Sequence, residues 1–116
     1  MIEETALSGV HEESGAKMIE FNGFSMPLMY DSIKKECLAV RNSSGIFDIS
    51  HMGEIFVSGP GSLEFLQQTM TNNMDVEQGG CVYTLMCDEE GGILDDLIAV
   101  RLGDDEFMLV VNASNI

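Results

Sequence analysis

The sequence predicts an α+β chain: antiparallel strands and hairpins with two short helices. Three observations lead there. The last third alternates apolar runs with short turns rich in Gly and Asp, which is the pattern of an antiparallel meander. Asn22-Gly23 stands between two short apolar runs and suits a tight hairpin. Apolar residues recur at helical spacing at Ile33, Cys37 and Val40, and again at Leu63, Leu66 and Met70. With 116 residues, 45% of them hydrophobic, the chain is long enough for a core within one domain.

Taken in order, residues 1–17 are polar and show little beyond a short helix. Met18 to Phe21 and Phe24 to Met26 form the first hairpin. Pro27 lacks an N–H for a sheet ladder and demotes its segment to an edge or a loop. A helix runs from Ser32 to about Asn42 and ends at Ser43-Ser44-Gly45. Ile46 to Ser50 and Glu54 to Ser58 read as short strands around His51-Met52-Gly53. A second helix, centred on Leu63 to Met70, stops near Thr71-Asn72-Asn73. Strands follow at Cys81–Cys87, Ile93–Leu102 and Phe107–Asn112, joined by Asp88-Glu89-Glu90-Gly91-Gly92 and Gly103-Asp104-Asp105-Glu106. Asn112-Ala113-Ser114-Asn115 favours a helix start, so the chain reads as unfinished.

Five Lys and Arg against twenty Asp and Glu give a net charge of -15. Phosphate neutralisation needs clustered cations, so nucleic acid and an anionic membrane surface are both poor partners. The sequence pI near 4.1 beside a mean hydropathy of +0.11 points to an acidic surface around an apolar interior. No run approaches the ~20 apolar residues that cross a bilayer, and the start lacks the order of a secretory signal. Cys37, Cys81 and Cys87 have no ligand spacing and read as reduced, buried thiols of a cytoplasmic protein.

One strand carries an anomaly. By alternation Leu94, Asp96, Ile98, Val100 and Leu102 share a face, and Asp96 is its only polar member. If that face is buried, desolvation raises the carboxyl pKa or a partner must satisfy it, which marks function. Alternatively, Asp96 sits at a strand end and accepts backbone N–H bonds from a turn. His51 reads first as a hydrogen-bonded structural residue and second as a base or ligand, while His11 reads as solvated. The acidic turn at 88–92 lacks the alternating ligands of a calcium loop, and no zinc spacing occurs, so no metal is expected. The nine Met residues read as core filling rather than a pocket lining. Tyr83 and Asn112 are polar residues on apolar strands, open to a ligand or to a core hydrogen bond.

Several segments, taken together and in order, resemble the aminomethyltransferase family of the glycine cleavage system T-protein. They are Gly15-Ala16-Lys17-Met18, Ala39-Val40-Arg41-Asn42, Gly45-Ile46-Phe47-Asp48-Ile49-Ser50-His51-Met52-Gly53-Glu54, Gly91-Gly92-Ile93-Leu94-Asp95-Asp96-Leu97 and Val110-Val111-Asn112-Ala113. The resemblance implies transfer of the one-carbon unit of an aminomethyl group, carried on the lipoyl arm of H-protein, to tetrahydrofolate as co-substrate, with release of ammonia. It implies that the family's essential carboxylate falls on Asp96, and that Met52, Tyr83, Val110 and Asn112 line the pterin pocket. Residues 1–116 then form an incomplete N-terminal portion of the folate-binding domain.

The same resemblance implies that the residues holding the pterin edge and the glutamate tail lie in later segments. Arg41 and Arg101 match neither role, so activity is expected only with a missing C-terminal segment or a partner chain. Two alternatives are a non-catalytic folate-binding or iron–sulfur maintenance protein and the folate domain of a sarcosine or dimethylglycine dehydrogenase. The retained Asp96 argues against the first, and the lack of a visible flavin domain against the second.

Overall fold

A computed structural model describes residues 1–116. The chain forms two compact units, residues 1–51 and residues 52–116, each with its own sheet.

The first unit contains strand β1 (Glu3–Glu4), helix α1 (Ser8–Glu13), β2 (Lys17–Phe21), β3 (Phe24–Met29) and helix α2 (Ile33–Asn42). Its strands lie in the order β1-β3-β2, with β2 and β3 antiparallel. Asn22 and Gly23 both take positive φ, 49° and 87°, so the hairpin turns as its sequence predicts. β3 runs through Pro27 to Met29 rather than stopping there. β1 pairs only with Phe24 and Ser25, so at Pro27 one side of β3 is already an edge and no N–H is required.

Helix α1 is a third short helix, formed within the polar opening. Gly15 ends it at φ 79°, with Gly15 N–H on Glu12 O and Ala16 N–H on His11 O, so two of its last carbonyls are satisfied. Ser32 caps α2 by accepting the Lys35 N–H. Residues 45–49 form no strand. Ile46 is 98% exposed and Phe47 70%, so the apolar residues on either side of Asp48 form neither a strand nor a core.

The second unit contains β4 (Gly53–Ser58), helix α3 (Ser62–Thr69), β5 (Cys81–Cys87), β6 (Ile93–Gly103) and β7 (Glu106–Val111), followed by a 3-10 turn at Ala113–Asn115. The predicted meander is present, and β4 joins it beside β7 to give the antiparallel order β4-β7-β6-β5. One face of this sheet is the core. Leu97, Ala99, Phe107, Leu109 and Val111 pack there with Leu66 from α3 and with Met70 and Met74. Alternation leaves the opposite face of the sheet open. Arg101 folds back onto Asp75 Oδ1 at 2.8 Å and the Val76 carbonyl, which commits its charge to structure.

The thiols are not buried: Cys37 and Cys81 are exposed and Cys87 is half-buried. Cys37 fails because α2 buries none of its residues. No helix is long and apolar enough to cross a membrane.

Candidate functional site

Asp95 and Asp96 are neighbours on β6, so their side chains leave opposite faces of the sheet. The structure reverses the burial condition set on Asp96. Asp95 shares the core face with Leu97 and Ala99 and is buried, whereas Asp96 lies on the open face with exposed Leu94 and Ile98. The strand count singles out Asp96 on the assumption of a buried face, and that assumption fails because a largely apolar run does not reveal which of its faces is covered.

The register builds the surroundings of Asp96. Tyr83 on β5 pairs with Ile98 on β6, and Ile98 pairs with Val110 on β7. Directly paired residues share a face, so Tyr83, Asp96, Ile98 and Val110 stand together on the open side. Extending the β4–β7 register one residue past Gly53 and Val111 sets Met52 opposite Asn112. Extending the β6–β7 register from Ile98 and Val110 likewise sets Asn112 opposite Asp96. Tyr83, Asp96, Val110 and Asn112 therefore meet at one end of a single sheet, and Met52 directly precedes the first residue of β4 at that end.

Both Asp96 oxygens are engaged. The Tyr83 hydroxyl donates to Oδ2 at 2.7 Å, and Asn112 Nδ2 donates to Oδ1 at 3.1 Å. Asn112 Nδ2 also reaches the Asp96 carbonyl and Asp95 Oδ1, each at 2.8 Å. Tyr83 is 62% exposed, so this carboxylate and its donors are open to an incoming molecule. The bond to Asp96, with some desolvation and the charges of Asp96 and Asp95, raises the Tyr83 pKa above its ordinary value.

Asp95 behaves differently. Burial alone would push its carboxyl up. Side-chain bonds with Asn112 and Asn115 and backbone N–H groups of Asp96 and Asn112 outweigh that and hold it below the usual carboxylate value. Its link to Asn112 escapes sequence reading, although two adjacent Asp on a strand guarantee that one of them faces the core and needs a donor.

A second polar cluster lies in the first unit, and it corrects the expectation of a solvated His11. His11 is buried, with Nε2 2.7 Å from Asp48 Oδ2 and Nδ1 2.7 Å from the Tyr30 hydroxyl. Burial opposes the Asp48 charge, but bonds from His11, Ser50 and Thr5 prevail and hold its carboxyl well below the usual range. His51 packs edge-on against Phe21 and Phe24, at 5.7 and 6.5 Å between ring centroids, and its Nδ1 is buried without a hydrogen-bond partner. No group of three or more His, Cys, Asp or Glu is placed to hold a metal.

The fold is of the α+β class, with an antiparallel sheet that has one covered and one open face and bears an exposed carboxylate held by a phenol and an amide. The family model described as the GCVT N-terminal domain matches residues 7–116, and the chain belongs to that family. It is 53% identical over 116 residues to an aminomethyltransferase of Halothermothrix orenii, covering 99% of this chain and 32% of the relative. An aminomethyltransferase of Geobacillus thermodenitrificans is 51% identical with the same coverage. Among solved structures, the glycine cleavage system aminomethyltransferase T from Bartonella henselae superposes with a TM-score of 0.89 at 39% identity, over 99% of this chain and 32% of that one. The chain spans about a third of the length of the curated relatives it matches.

Proposed function

We propose that this chain supplies the carboxylate-bearing wall of a tetrahydrofolate-dependent aminomethyltransferase of the glycine cleavage system. The observation that carries it is the exposed Asp96 carboxylate, gripped by Tyr83 and Asn112 on an open sheet face, in a chain of the GCVT N-terminal domain family. Residues 1–116 would be the N-terminal portion of the folate-binding domain, and full activity would need the segments that the longer relatives also contain.

In the proposed reaction the methylene carbon starts bonded to the lipoyl sulfur of H-protein and to an amino nitrogen. It ends bonded to two folate nitrogens. One C–S and one C–N bond break, two C–N bonds form, and the two folate N–H protons leave with ammonia and the thiol. No electrons are exchanged. Positive charge grows at the carbon as ammonia departs, and a fixed carboxylate stabilises it and holds the folate N–H groups in line. Tyr83 and Asn112 would fix the Asp96 rotamer, while Met52 and Val110 would offer apolar surface to the pterin ring. We place the reaction in the cytoplasm, in keeping with three free cysteines.

The test is turnover of aminomethylated H-protein with tetrahydrofolate by a hybrid in which this chain replaces the matching third of the Halothermothrix orenii relative. Formation of 5,10-methylenetetrahydrofolate and ammonia supports the proposal. A stable folate complex without turnover would favour a binding protein instead.

A further inference from the structure

We infer that Asp95, which lies on the covered side of the sheet, is a positioning residue that locks the side-chain amide of Asn112 in one orientation. This rests on the proposed function only for its consequence at the ligand, because the lock itself is a property of the free chain. Asn112 Nδ2 faces three acceptors: Asp95 Oδ1 at 2.8 Å, the Asp96 carbonyl at 2.8 Å and Asp96 Oδ1 at 3.1 Å. A carboxylate and a carbonyl only accept, so all three demand an N–H and none tolerates the amide oxygen. Flipping Asn112 by 180° would set its oxygen against these three acceptors.

Asp95 matters most among them because it is buried, 9% exposed, and water cannot take over its bonds as it can for exposed Asp96. Asp95 Oδ1 also accepts the Asp96 N–H at 2.9 Å, so one oxygen ties the amide of Asn112 to the backbone of the residue beside it. With the nitrogen held inward, Asn112 keeps its carbonyl oxygen for a ligand that donates an N–H. Asp96 with Tyr83 already forms a donor-seeking and donor-bearing pair, so the lock adds a second fixed acceptor beside it. A ligand with adjacent N–H groups, as on a reduced nitrogen heterocycle, fits two such acceptors.

The experiment is NMR of the full 116-residue chain, following the Asn112 side-chain NH2 resonances. In Asp95→Leu the buried acceptor is removed with little change in side-chain size, so neither the Asn112 NH2 nor the Asp96 N–H can bond there and the lock is lost. Solvent exchange of the Asn112 NH2 should rise by about tenfold, as expected for a lost bond to a charged group, while the backbone signals of β6 and β7 keep their positions. Unchanged exchange in a folded variant would overturn the inference. If the variant does not fold, the wild type decides: its Asn112 NH2 signals should move as the Asp95 carboxyl titrates, and signals indifferent to that titration would overturn it. Adding tetrahydrofolate to the hybrid enzyme, which carries the remaining segments, separates the two proposals. Signals of Tyr83, Asp96 and Asn112 that do not move there count against the folate site, whereas the exchange result stands regardless.

Discussion

The Tyr83 hydroxyl donates to Asp96 Oδ2 at 2.7 Å although the two residues are not opposite each other on the β5–β6 ladder. Tyr83 pairs with Ile98 and Asp96 with Leu85, so the bond runs along the diagonal of the sheet, a span that an aromatic side chain covers. The phenol thus serves as a fixed donor to a carboxylate that is otherwise open to solvent.

That bond should be visible in the titration of the phenol. Because Asp96 accepts the proton of Tyr83 and adds negative charge nearby, Tyr83 stays protonated to higher pH than an ordinary tyrosine. Ultraviolet absorbance of phenolate should therefore show a component titrating above the usual ~10. Asp96→Asn should bring that component down. An unchanged titration would mean that the hydroxyl is not held by Asp96.

The buried His11–Asp48 pair should matter to stability. The two side chains are 8% and 3% exposed, so Asp48→Ala leaves His11 and the Thr5 hydroxyl without their acceptor. A loss of about 3 kcal/mol is expected, measured by urea unfolding. The folded Asp48 carboxyl is depressed, so its contribution is complete above the unfolded pKa of ~3.9 and disappears as pH falls below that toward its folded value. The wild type should lose more stability than Asp48→Asn over that acidic window, and parallel curves would contradict the pairing.

Gly53 opens β4 directly opposite Val111. A Cβ there would lie 2.8 Å from Val111 Cγ2 and 2.7 Å from Ile116 Cγ1, inside contact distance. Gly53→Ala should destabilise the second unit by about 1–3 kcal/mol through overpacking. Gly59→Ala is the matched comparison for backbone strain: its φ is 107° but its Cβ would meet nothing within 4 Å. A chemical-denaturation midpoint for Gly53→Ala equal to the wild type would show that the ends of Ile116 and Val111 move aside freely.

Local rules made much of this fold legible. Asn22-Gly23 has one favoured turn, Ser32 has one favoured helical position, and the strands from Cys81 to Val111 are bounded by turns with no competing pattern. What stayed hidden depends on partners distant in sequence. His11 looks solvated until Asp48, 37 residues on, reaches its ring. The pairing of β4 with β7 sets the residue after Met52, Gly53, opposite Val111 but leaves no mark in either strand. Ile46 to Ser50 reads as a strand because Ile46, Phe47 and Ile49 are apolar, yet no ladder partner is present. For the site, Asp96 was identifiable as the odd polar residue on its face. Its exposure was not, because Ile93 to Leu102 is largely apolar on both sides and only packing by α3 decides between them.

The most direct measurement is the single-turnover rate of one-carbon transfer from aminomethylated H-protein to tetrahydrofolate in the hybrid enzyme, with Asp96 and with Asn at that position. The amide keeps the shape and removes the charge. Transfer should fall by about 10²–10⁴-fold while the unfolding transition stays put. A rate equal to that of the parent, in a folded variant, would contradict the assignment and move the chemistry away from β6.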